Sequence, residues 1–130
     1  MSEDTRLRTP LGRAVGLGSA KEGVAHWWAQ RLTAVALVPL VIWFTIEIIA
    51  LTGAPRGAVV AWLHMPFPAI ATVLLLIAVF YHMSLGLQVV IEDYIHSEWL
   101  KISAIVLNKF VAFALAAAGI FAVLRIAFQG

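Results

Sequence analysis

The chain has 130 residues, of which 62% are hydrophobic and only 12% charged, with a net charge of +2 and no cysteine. Soluble domains carry about a quarter charged residues, so this composition belongs to a single domain built for lipid rather than water. The missing thiol excludes disulfides, zinc–thiolate centres and iron–sulfur ligation by this chain. The lack of a basic stripe interleaved with aromatics argues against nucleic acid as a partner.

Residues 1–30 form an N-terminal arm that opens with MSEDTRLRTPLGRAVGLGSAKEG, polar, mixed in charge and rich in glycine. It has no apolar core of the kind a signal peptide needs. Arg6, Arg8 and Arg13 lend it a presequence-like character that Glu3 and Asp4 argue against. Three apolar spans follow, at about 32–51, 69–91 and 102–128. Each is near or above the roughly 20 residues that a helix needs to cross about 30 Å of hydrocarbon. A backbone in lipid must satisfy its own hydrogen bonds, so the expected fold is all-α, with three transmembrane helices. Pro39 sits inside the first span, where a membrane bundle tolerates it as a kink. In the first loop, Gly57–His64 reads as a short interfacial helix with Trp62 at headgroup depth.

Orientation follows from the cations. Arg6, Arg8, Arg13, Lys21 and Arg31 precede or border the first span, and Lys101 and Lys109 follow the second loop; only Arg56 and Arg125 fall on the other side. The positive-inside rule then places the N-terminus in the cytoplasm and the C-terminus in the periplasm. Trp27, Trp28 and Trp99 fall at that same cytoplasmic interface, as an aromatic belt would. Three helices make a thin bundle, so polar faces stay open unless partner helices cover them.

The second span carries groups that lipid does not call for. His82 and Asp93 are eleven residues apart, about 20° past three full helical turns, so they share one stripe about 16 Å long. Gly86, one turn from His82, lies on the same stripe and leaves a slot against the backbone. With Asp93 at the surface, His82 lies near mid-bilayer, where an unpaired imidazole costs kilocalories. Two readings stand on the residues alone. His82 hydrogen-bonds a serine or a carbonyl of a neighbouring helix, or it is an axial ligand to haem, for which an apolar slot and a small neighbour suit. In the second case another chain supplies the sixth ligand. His26 and Arg31 either anchor the cytoplasmic interface or neutralise haem propionates. Asp93–Tyr94 is either an interfacial Tyr with a capping carboxylate, or a pair in which Tyr94 donates to a quinone carbonyl and Asp93 tunes it. Glu47, late in the first span, reads as snorkelling or paired with Arg56 or a partner chain. His64 and His96 read as solvated, and Gly119 as a close helix contact.

HWWAQRLTAVALVPL, His26 to Leu40, and YHMSLGLQVVIEDYIHSE, Tyr81 to Glu98, closely resemble the hydrophobic membrane anchor subunit of bacterial succinate dehydrogenase (complex II), in its alphaproteobacterial form. The resemblance runs from about Gly23 to the end of the third span. It implies three helices that pair with three of a cytochrome b subunit in the bacterial inner membrane and enclose one haem b between the two chains. It implies that His82 is this chain's axial ligand, with Gly86 beside it, and that Arg31 and, less directly, His26 attend the propionates. Tyr94 and Asp93 would line the ubiquinone site, and the cytoplasmic face would dock the iron–sulfur subunit and, through it, the flavoprotein. The rivals are a haem-free structural or assembly membrane protein, a self-contained quinone or haem carrier, and the anchor of a fumarate reductase.

Overall fold

The computed structural model describes residues 18–129; the arm's Glu3, Asp4, Arg6, Arg8 and Arg13 lie outside these. Four helices follow one another: α1 Gly18–Leu51, α2 Arg56–His64, α3 Pro66–Tyr94 and α4 Glu98–Gln129. Three of them are long and apolar enough to cross a membrane, over Gly23–Leu51, Pro66–Tyr94 and Glu98–Gln129. The helices outrun the apolar spans. Hydropathy marks only what hydrocarbon surrounds, whereas the backbone ladder continues through polar residues such as Gln30, Arg31 and Lys101. The arm's last residues, from Gly18, are therefore part of α1.

The breaks between helices have local causes. Gly53, at φ 79°, turns the chain out of α1 in a conformation that L side chains rarely adopt. Ala54 N–H closes that turn on the Leu51 carbonyl. Met65 is at once the last cap of α2 and the first of α3, held extended. Pro66 then opens α3 at the position where a missing N–H costs nothing. Helix α1 runs through Pro39, which has no N–H to offer the Val35 carbonyl one turn earlier.

Helix α3 is the centre. It packs on α1 along one side and α4 along another, while α2 rests against α3 and α4. The buried residues are correspondingly concentrated on α3, at Pro68, Ala71, Thr72, Leu75, Ala78, Ser84 and Leu85, with Ala112 from α4 and Trp62 and Leu63 from α2. The α3–α4 seam is close. A Cβ on Gly119 would stand 3.2 Å from a methyl of Leu76, which is the tight contact expected of that glycine. It is also polar at one end, where Asn108 Nδ2 donates to the Ser84 carbonyl at 2.8 Å and Lys109 Nζ to Gln88 Oε1 at 3.0 Å. Gln88 in turn donates to Glu92 Oε1 at 2.9 Å.

On α1 the partly buried positions include His26, Gln30, Thr33, Leu37, Leu40, Phe44 and Glu47. The alternating three- and four-residue spacing defines one face, turned to α3. Its far end is aromatic. Trp43 stacks on Trp62 with centroids 5.9 Å apart and meets Phe67 edge-on.

Candidate functional site

The polar end of the α1–α3 seam holds the residues that the sequence marks. His82 is half-buried there. Its Nδ1 lies 3.0 Å from Thr33 Oγ1, and the same hydroxyl lies 2.7 Å from the Ala29 carbonyl and 3.0 Å from the Gln30 carbonyl. Carbonyls only accept, so the single hydroxyl proton goes to them and the Thr33 oxygen accepts from the ring. The ring contact is then made by Nδ1–H as donor, which leaves Nε2 outside that bond. The neighbour that holds it is a threonine hydroxyl on the adjacent helix, the equivalent of the serine that the hydrogen-bonded reading of His82 called for.

One turn further along, the partner of Gly86 is Gln30. A Cβ on Gly86 would meet only Gln30 Nε2, at 3.8 Å, so the slot is shallow and the glycine is not required by packing within this chain. Gln30 Oε1 and His26 Nε2 are buried and, among the described residues, without hydrogen-bond partners. His26, Gln30 and Thr33 follow at i, i+4 and i+7 and make one polar stripe about 10 Å long, facing His82 and Gly86.

Arg31 does not join this cluster. It stands on the exposed side of α1, its guanidinium 5.5 Å from the centroid of Trp27. Asp93 and Tyr94 end α3 and are both exposed, Tyr94 at 78%. The pairings Thr33–His82 and Gln30–Gly86 set an antiparallel register that puts Asp93 about level with the residues just before His26. His82 and His26 with Gly86 therefore lie along one seam, whereas Arg31 points outward from α1 at about the level of Gly86, and Asp93 and Tyr94 are exposed at the end of α3. Sequence reasoning missed Thr33 and Gln30. The signal was their spacing from His26, which places all three on one face.

Among the described residues no cluster of His, Asp or Glu could hold a bare metal ion. A porphyrin's needs are different, and these residues suit them. One imidazole nitrogen lies outside the bond to Thr33, a glycine lies one turn away, and two buried polar atoms lack partners among the described residues.

Residues 5–116 match the family described as succinate dehydrogenase/fumarate reductase transmembrane subunit. This chain belongs to that family. It is 36% identical over 120 residues, 92% of each chain, to the succinate dehydrogenase hydrophobic membrane anchor subunit of Paracoccus denitrificans. The protein of the same name from Rickettsia bellii is 35% identical over 103 residues, 79% of this chain and 82% of that one. The succinate dehydrogenase membrane anchor subunit of Reclinomonas americana is 30% identical over 95 residues, 71% of this chain and 79% of that one. No solved structure matches. As a member of the transmembrane subunit family with three apolar spans, the chain is a multi-pass protein of the bacterial inner membrane.

A groove of about 740 Å³ is on another side of α3. It is lined by apolar residues of α3 and α4 such as Phe80, Phe113 and Phe121. Its lining includes none of His26, Gln30, Thr33, His82 or Gly86.

Proposed function

We propose that this chain is the membrane anchor of a succinate:ubiquinone oxidoreductase, and that it supplies one axial ligand of a haem b and one wall of a ubiquinone site. Succinate would be oxidised on a flavoprotein, an iron–sulfur subunit would pass the electrons on, and a cytochrome b subunit would complete the haem cage. The observation that carries this reading is His82, an imidazole held through Nδ1 by Thr33 in the middle of a membrane span. An imidazole so held offers Nε2 for ligation. Bound there, haem would supply one-electron redox chemistry within reach of the interface.

The chain's own residues divide the remaining work. Gly86 keeps the surface beside His82 low, and His26 brings a buried ring nitrogen without a partner toward the propionates. Arg31, on the outward side, meets the propionates from the partner's direction. Tyr94, exposed at the end of α3, donates its phenolic proton in a hydrogen bond to a quinone carbonyl. Asp93 beside it orients that phenol and takes up or releases a proton. The cations gathered before α1 and at the start of α4 keep this end in the cytoplasm, where the soluble subunits dock.

Two variants test the reading in the membrane complex. His82→Ala should abolish or alter the reduced-minus-oxidised haem spectrum; an unchanged spectrum removes His82 as ligand. Tyr94→Phe should cut quinone reduction while sparing succinate oxidation by an artificial dye. Equal loss of both would mean damaged assembly instead.

A further inference from the structure

We propose that Thr33 is the positioning residue for His82, its hydroxyl taking the hydrogen bond of Nδ1–H and so reserving Nε2 as the ligating nitrogen. The inference rests on the reading of His82 as a haem ligand and adds to it a residue on a different helix. The geometry is directional. With its proton committed to the carbonyls of Ala29 and Gln30, the Thr33 oxygen has only lone pairs to show His82. The opposite tautomer would set an unprotonated Nδ1 against an oxygen whose proton is already taken, 3.0 Å away in a low-dielectric seam. A ligating histidine whose other nitrogen donates to an oxygen has a fixed ring orientation and a more basic ligating atom. Helix α1 thus contributes to the electronics of the site although it carries no ligand itself, and Thr33 ties the angle of the His82 ring to the packing of α1 on α3.

The experiment uses the co-purified membrane complex and reads the haem midpoint potential and its low-spin electron paramagnetic resonance signal. Thr33→Val, close in shape but without the hydroxyl, should move the potential to more positive values, because a less basic imidazole stabilises ferric iron less, and should shift the resonance. Thr33→Ser should restore both. Ser103→Ala removes another hydroxyl that bonds back to a helix carbonyl, that of Trp99 at 2.8 Å, and should change neither. Should Thr33→Val fail to assemble, Thr33→Ala removes the same hydroxyl without the valine's bulk. A Val or Ala complex with wild-type potential and resonance overturns the role of Thr33, and so does a Ser complex that behaves like Val. If His82→Ala retains the native haem spectrum, it is the ligand reading that fails. Loss of haem in His82→Ala with no response to Thr33→Val rejects Thr33 alone.

Discussion

Glu47 and Trp62 show what a single carboxylate does at the far end of α1. The indole Nε1 of Trp62, a residue only 7% exposed, donates to Glu47 Oε2 at 2.7 Å. Glu47 is thus occupied by the short helix α2, not by Arg56; among the described residues the one ion pair is Lys101–Glu98 at 3.8 Å. Glu47→Leu should cost about 1–3 kcal/mol, the penalty of an orphaned buried donor, while Glu47→Gln keeps an acceptor and should cost less. The midpoint of thermal aggregation of the purified complex reads both. Asn108 is the milder case. Its acceptor, the Ser84 carbonyl, is already within the ladder of α3, so Asn108→Leu should cost only about 0.6 kcal/mol, typical of an interhelical hydrogen bond in a membrane protein. At this scale His82 was legible in the sequence because an imidazole inside an apolar run is chemically out of place. Thr33 was not, because membrane helices often carry threonines that bond back to their own carbonyls, as Thr33 also does. Its second bond spans 49 residues and exists only once α1 and α3 are in register.

At the scale of the element, two glycines differ in what surrounds them. Gly119 sits against Leu76, where an added Cβ would be within 3.2 Å. Gly119→Leu should force α3 and α4 apart at about 1–3 kcal/mol, seen as a lowered aggregation midpoint with the haem spectrum kept. Gly86 has open space apart from Gln30 Nε2 at 3.8 Å. Gly86→Ala should therefore leave the complex assembled yet weaken haem retention; an unaltered haem content would mean that the slot is not used. The elements themselves were largely readable from length and hydropathy, down to the short helix before His64 that the structure places at Arg56–His64. Their ends were not, since helices continue past the hydrocarbon wherever caps and turns allow. Gly53 and the paired Met65–Pro66 junction mark the stops.

As a whole molecule the chain is a row of helices with α3 between α1 and α4, and its large apolar side chains are mostly on show. Val35 is 71% exposed, Phe113 76% and Phe128 81%. In lipid such exposure is harmless, and in water it drives association. Expressed without partner subunits and extracted in mild detergent, the chain should elute as a polydisperse mixture in size-exclusion chromatography, and as a single species when co-expressed with them. Orientation is tested by fusions. A C-terminal alkaline phosphatase should be active, and an N-terminal fluorescent protein should glow in the cytoplasm, because seven of the nine cations lie on that side. The reverse pattern would overturn the proposed placement of Asp93 and Tyr94 on the cytoplasmic side. The composition announced a thin bundle; which helix sits in the middle depended on side-chain fit, such as Leu76 into the space of Gly119, that periodicity does not encode.

Helix α1 is unbroken from Gly18 to Leu51, so the stretch ahead of the membrane and Thr33 within it are parts of one shaft rather than a tether and an anchor. Position along a shaft has a phase. One residue inserted just after Gly23 would turn the first turns of α1, from Gly18, by about 100° and lift them about 1.5 Å relative to His82. Composition, charge and hydropathy would be almost unchanged. Four inserted residues would bring the upstream face back to within about 40°. Between Gly18 and His26 a helix built this way is sensitive to length more than to composition, since a shift of length re-aims the face of that end without changing a residue on it.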